Sequence, residues 1–329
     1  MTTEKIRERL DQFRDTFIPY AAANEAVEAL IDHHKYGQHA SGSRCMVLVG
    51  PSRVGKTAVL RKYHQVVTAK PRQAIIKNGV RIEPMPIVKI DVPEKVTGKN
   101  VPERLATAIG DPSPSSGSAH AIGQRFEMQA VLRGVECIIF DEGQHYIDRS
   151  RGEHRYIYEA GDAFKNLLNR GLFSIVLAGT SGVEGILKVN EQLRGRSFEI
   201  IRLERFAFTT KQDVNRFCGV VQKFEQALGF SESSKLVDGD MPQRLHAASR
   251  GSMGHLEMLM EKALLIALKV GMPIINKDVL SDAYAKLSMW SDRPENPFRT
   301  VKAPQYQGAL DGSSDADENS KASTRKQAA

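Results

Sequence analysis

The sequence is poor in the features that mark several large protein classes. Only three of its 329 residues are cysteines, Cys45, Cys137 and Cys218. They stand far apart with no C-x-x-C pair, so neither a zinc site nor a disulfide framework is expected, and a reducing cytosol fits best. No run approaches the roughly 18 apolar residues that span a bilayer. The first fifteen residues carry charges throughout and lack the apolar stretch of a secretory leader. A soluble, cytoplasmic chain with no membrane partner is expected. There is no internal repeat and no Ser-His-Asp or Cys-His arrangement. His33, His34 and His39 cluster without a carboxylate or thiol at ligand spacing, so they read as a solvated helix end.

What is present points to a folded core. Hydrophobic residues make up 41% and charged residues 26%, which excludes collagen-like, coiled-coil and wholly disordered chains. Lys and Arg number 46 against 39 Asp and Glu, a net charge of +7, and that surplus hints at a polyanionic partner.

The apolar pattern divides the chain. Residues 2–34 read as helix, broken at Pro19. Short apolar runs follow at residues 45–49, 86–90, 135–140, 174–178 and 198–203, separated by helical stretches, so a parallel sheet in an α/β domain is expected. After about Phe206 the pattern is helical only, at residues 211–228, 242–249, 253–270 and 277–289. The expected organisation is an N-terminal helical extension (1–40), an α/β core (41–208), a helical lid (209–290) and a disordered polar tail (291–329). Residues 111–118, DPSPSSGS, read as a loop.

Gly50-Pro51-Ser52-Arg53-Val54-Gly55-Lys56-Thr57 matches G-x-x-x-x-G-K-[ST] directly after a buried strand, and Ala58 continues into a helix. Such a loop turns backbone N–H groups and a helix N-terminus toward phosphate oxygens. Lys56 is placed to reach the β- and γ-phosphates and Thr57 to hold Mg²⁺. The run Cys137-Ile138-Ile139-Phe140 ends in Asp141-Glu142. Beside a phosphate loop the first carboxylate serves the Mg²⁺ shell and the second polarises the attacking water. The extra strand between the two motifs points to the additional-strand class of P-loop ATPases. Thr180, at the tip of the strand starting at Ser174, is placed as a γ-phosphate sensor; capping of the next helix is its alternative role.

The order GPSRVGKT, IIFDEGQHYIDRSRG, DAFKNLLNRGLFSIVLAGT and NEQLRGRSFEIIRLERF, followed by a helical lid, resembles the TnsC/TniB family of AAA+ regulators of DNA transposition, over about residues 13–290. His145 after the acidic pair, the KNLLN helix, the Gly-Thr strand end and the QLxxR element are its more particular marks. The resemblance implies an AAA+ core with a five-stranded parallel sheet and an ATPase using ATP and Mg²⁺. It also implies a homo-oligomeric ring or filament on double-stranded DNA, joining a TniQ-like targeting protein to a TnsB-like transposase, with hydrolysis driving disassembly. By position, Arg196 becomes the finger that completes a neighbouring subunit's site, with Arg194 as the alternative. Ile18, in FIPYAAA, becomes an adenine contact, with a core position, by composition, as its alternative. Many AAA+ lids carry a G-x-x-R sensor arginine, whereas this lid reads RGSMGHL; His255 or Arg250 takes that place, or the role is missing.

DNA contact is expected from residues 70–104, where eight basic residues face four acidic ones. Lys95, Thr97 and Lys99 follow the second core strand, and Arg149, Arg151 and Arg155 follow the acidic pair. Both groups are placed to touch backbone phosphates without reading bases. The alternatives to this function are a helicase loader or replication-initiator-like ATPase, and a nucleotide-gated scaffold with little turnover.

Overall fold

The computed structural model describes residues 1–37, 44–77, 79–94, 96–146, 171–189, 197–290 and 295–304. His39, Lys95, Arg149, Arg151, Arg155, Arg194 and Arg196 lie outside them. Two compact units emerge: one of residues 22–52 and 56–203, the other of residues 1–21, 53–55 and those from Glu204 onward. Among the described residues no helix is long and apolar enough to cross a membrane.

The first unit is the α/β core. Strands β1 (Cys45–Val49), β4 (Ile87–Asp91), β5 (Cys137–Asp141), β6 (Ser174–Gly179) and β7 (Ser197–Arg202) form one sheet in the order β4-β5-β6-β1-β7. All its described pairings are parallel. Every residue of β1, β5 and β6 is buried, as continuous apolar runs covered on both faces require. The register aligns Val49 with Gly179 and Arg202, and Asp91 with Asp141. The C-terminal ends of the strands therefore meet along one edge, the edge where open α/β sheets bind ligands. Helices α3 (Lys56–Thr68), α4 (Asn100–Ala108), α5 (Ala119–Leu132) and α6 (Gly182–Val189) connect the strands.

Two expectations change here, and the loop expected at residues 111–118 is present. An antiparallel hairpin of β2 (Ile75–Lys77) and β3 (Val80–Ile82) stands before β4. Gly79 takes φ 75° in its connection, a left-handed backbone that glycine allows. His33 and His34 are not a solvated helix end: they are 1% and 5% exposed, at the end of α2 (Ala21–Gly37). His34 hydrogen-bonds the Tyr63 hydroxyl at 2.6 Å and Glu136 at 2.7 Å, and Arg72 pairs with the same carboxylate at 2.5 Å. Burial lowers the pKa of both histidines, that of His33 to about 4. The loop at residues 111–118 is organised by Arg125, which binds Asp111 at 3.1 Å and the carbonyls of Ser113 and Ser116 at 2.8 and 2.9 Å.

The second unit is helical: α1 (Thr3–Asp15), α7 (Lys211–Leu228), α8 (Met241–Ser249), α9 (Met253–Val270) and α10 (Lys277–Ala285). Thr210 and Asp213 close α7 with a capping box, and Gly229 ends it in the left-handed conformation. Leu10 and Phe13 of α1 join Phe217, Phe224, Leu256 and Leu264 in its core, and Arg14 pairs with Glu261 at 2.6 Å. The N-terminal extension is thus not one body, because the break at Pro19 lets α1 and α2 bury their apolar faces in different cores. Helix α10 ends at Ala285, short of residue 289, and the indole of Trp290 donates to the Ala248 carbonyl at 3.0 Å. The expected start of the tail is also corrected. Phe298 is 3% exposed, and Arg244 binds the carbonyls of Pro297 and Thr300.

Candidate functional site

The phosphate loop leaves β1 with the Gly50 N–H donating to the Gly179 carbonyl at 3.1 Å. Lys56 begins α3 and is 8% exposed; its ammonium donates to the Gly50 and Pro51 carbonyls at 2.7 and 2.8 Å. These bonds fold the loop over the lysine, while Thr57 and Ala58 occupy the first turn, whose N–H groups have no intrahelical acceptor. Arg53 and Gly55 take positive φ, 63° and 103°, the turn that a phosphate nest demands.

Residues 53–55 are held by the helical unit. The Arg53 carbonyl accepts from the Gly254 N–H at 2.6 Å and from the Ser252 hydroxyl at 3.1 Å, and the Tyr20 hydroxyl donates to the Val54 carbonyl at 3.2 Å. A Cβ on Gly254 would lie 3.0 Å from the Arg53 carbonyl oxygen, too close for any other residue. The glycines of RGSMGHL therefore serve close backbone approach: Gly251, at φ 68°, lies against the Phe206 carbonyl. Arg250 stacks over the Trp290 ring at 4.1 Å. His255 packs on the same ring at 4.2 Å between centroids, and burial, with the charges of Arg53, Arg205 and Arg250, lowers its pKa to about 4. It is therefore neutral at pH 7. Ile18 is 8% exposed within the helical core.

Opposite the loop, Asp141 is 2% exposed at the end of β5, its Oδ2 3.5 Å from the Thr57 hydroxyl. Glu142 adopts φ 57°, a left-handed conformation that costs a glutamate roughly 1 kcal/mol; its N–H donates to Asp141 Oδ1 at 3.0 Å, which offsets part of that. Gln144, which sequence reasoning passed over, ties the site together. Its amide nitrogen donates to Glu142 Oε2 and its amide oxygen accepts from the Thr180 N–H at 3.1 Å. His145 hydrogen-bonds the Val92 carbonyl at 2.9 Å, fixing the turn Gly143–Tyr146 to the end of β4. This turn lies so close to β6 that a Cβ on Gly143 would stand 3.0 Å from the Ala178 carbonyl oxygen, and one on Gly179 would stand 2.6 Å from Gln144 Oε1. Gly179→Ala is therefore expected to displace Gln144, costing about 1–3 kcal/mol of stability and about tenfold in nucleotide turnover while nucleotide affinity holds. Urea unfolding and steady-state kinetics measure the two effects.

The charge expected to meet DNA is partly spent within the chain. Arg81 pairs with Glu83 at 2.5 Å, and Lys89 with Asp91 at 3.1 Å and Asp141 at 3.0 Å. Lys99 reaches Glu103 at 3.3 Å and the Ser115 carbonyl at 2.9 Å. Thr97 exchanges hydrogen bonds with Asn100 at 2.9 and 3.2 Å, closing the turn before α4.

Comparison with solved structures places the fold. The Aeropyrum pernix ORC1 protein, solved in complex with DNA, aligns with a TM-score of 0.59 at 18% identity, over 84% of this chain and 68% of that one. The Aeropyrum pernix ORC2 protein, solved in ADPNP-ADP complexes, aligns at 0.56 and 13%, over 84% and 71%. Cdc6p from Pyrobaculum aerophilum aligns at 0.56 and 14%, over 83% and 69%. No curated protein sequence matches significantly. The family described as "Bacterial TniB protein" matches residues 9–208. With that match over more than half its length, and with an AAA+ P-loop ATPase fold, the chain belongs to the TniB family.

Proposed function

We propose that this chain is an ATP-dependent adaptor of DNA transposition. It assembles as a ring or filament on double-stranded DNA, links a TniQ-like targeting protein to a TnsB-like transposase, and hydrolyses ATP to disassemble. The observation that carries this reading is the meeting, at one sheet edge, of a phosphate loop with Thr57, Asp141, Glu142 and Thr180, inside a TniB-family chain.

The donor set fits magnesium nucleotide: one hydroxyl and one carboxylate, both hard oxygens, 3.5 Å apart beside a loop of converging N–H groups. Bound there, Mg²⁺ would supply charge neutralisation to the phosphates. Gly50 to Thr57 and Ala58 cradle the phosphates, Lys56 offsets their charge, and Thr57 and Asp141 hold the metal. Glu142, kept in place by Gln144, accepts a proton from the attacking water, and Thr180 senses the γ-phosphate. Arg196, or Arg194 in its place, completes a neighbouring subunit's site, so turnover requires assembly. Lys95, Thr97, Lys99, Arg149, Arg151 and Arg155 meet the DNA backbone, and the protein works in the cytoplasm.

Glu142→Gln tests this reading. Imaged by electron microscopy with ATP and duplex DNA, the variant is expected to stay assembled after wild-type protein has dispersed. Identical behaviour of the two proteins would favour the scaffold with little turnover.

A further inference from the structure

Lys89 lies on the edge strand β4, on the exposed phase of an otherwise buried run. Its ammonium stands 3.0 Å from Asp141 Oδ2 and 3.1 Å from Asp91 Oδ1. Asp141 Oδ2 is also the oxygen that faces the Thr57 hydroxyl. The parallel register explains the geometry: Asp91 is level with Asp141, so the lysine two residues earlier leans along the strand and ends between the two carboxylates. With two carboxylates at hydrogen-bond distance, the Lys89 ammonium keeps its charge. Its charge also helps to lower the pKa of His64 on α3, behind the larger effect of burial.

We propose that Lys89 is an internal counter-cation that competes with the divalent metal for Asp141. The inference rests on the assignment of Asp141 and Thr57 as metal residues. A single carboxylate oxygen cannot serve an ammonium at hydrogen-bond distance and a divalent cation at about 2.1 Å without the two cations repelling each other. Metal binding must therefore move the Lys89 head toward Asp91, which waits as its second partner. The pair keeps Asp141 neutralised and aligned, and it raises the metal concentration at which nucleotide is captured. Lys89 is thus a positioning residue with a regulatory consequence: the ATP-bound state becomes sensitive to free Mg²⁺.

The test is a Mg²⁺ titration of fluorescent ADP binding to the full chain, with Lys89→Met, which keeps the stem and removes the charge, and Lys89→Gln in case the first variant fails to fold. Half-saturating Mg²⁺ is expected to fall roughly threefold to tenfold in both, with nucleotide affinity in chelator unchanged. An unchanged or higher Mg²⁺ requirement overturns the proposal. So does a loss of affinity in chelator, which would make Lys89 a phosphate ligand. Asp141→Ala separates the two levels. If that variant keeps the wild-type Mg²⁺ dependence, the metal-site assignment itself fails. If it loses the dependence while the Lys89 variants leave it unmoved, only the competition fails.

Discussion

Lys56→Ala is expected to abolish nucleotide capture, and with it any ATP-dependent assembly on DNA. The residue does two jobs at once. In the proposed function its ammonium meets the phosphates, and its bonds to the Gly50 and Pro51 carbonyls tie the loop to the start of α3. Charge-assisted hydrogen bonds contribute about 1.5–3 kcal/mol each, so the loss of one or two to phosphate weakens binding by roughly tenfold to more than ten-thousandfold. Loosening of the loop adds to that. Lys56→Arg is expected to fail almost as badly, because a planar guanidinium cannot take the place of a compact ammonium on the same two carbonyls. Titration with a fluorescent nucleotide measures the binding, and electron microscopy with duplex DNA measures the assembly. Wild-type affinity in Lys56→Ala would overturn the role of the loop.

The second large effect concerns stability. Arg244 is 1% exposed. It binds Asp240 through Nε and a terminal nitrogen at 3.0 and 2.7 Å, and the carbonyls of Pro297 and Thr300 at 2.5 and 3.0 Å. Arg244→Ala leaves the Pro297 carbonyl to the Thr300 hydroxyl at 3.1 Å, takes the guanidinium from the Thr300 carbonyl, and removes from Asp240 the partner that chiefly holds its carboxyl below the usual range. Asp240 is half exposed and rehydrates when its partner goes, so the cost is that of the lost buried hydrogen bonds, about 1.5–3 kcal/mol. Truncation after Trp290 removes the same carbonyls together with Phe298, so it is expected to destabilise the helical unit comparably. Truncation after Pro304 keeps every one of these contacts and is the control. Urea unfolding of the three variants checks this, and equal stability after truncation at Trp290 would show that residues 295–304 add nothing.

How far the sequence foretold these arrangements depends on the range over which each is fixed. The phosphate loop was legible because its chemistry is local: two glycines, a lysine and a threonine at fixed offsets carry their own backbone geometry. The buried strands were legible for a similar reason, since a run such as Cys45–Val49 is uniformly apolar. Gln144 was not, because its role appears only when the turn after β5 touches β6, and that contact depends on Gly143 and Gly179 in separate segments. The basic stretch at residues 70–104 misled in part, because counting charges does not reveal that Arg72, Arg81, Lys89 and Lys99 have acidic partners. The glycines of RGSMGHL invited a search for a sensor arginine, whereas their service is backbone approach to Arg53 and Phe206.

By itself the sequence determined the fold class and the local motifs on which the proposed function rests: alternating buried runs and helices, a G-x-x-x-x-G-K-[ST] loop, an acidic pair and a helical C-terminal region. Those follow from local backbone preference and from periodicity, which act over a few residues. The tertiary structure alone decided which partners those residues meet. It assigned α1 and α2 to different cores, drew residues 295–304 around a buried arginine, and set Lys89 and Gln144 against the acidic pair. Each of these is fixed by packing between segments tens to hundreds of residues apart, where strand register and the space left by a glycine, rather than residue type, choose the contact.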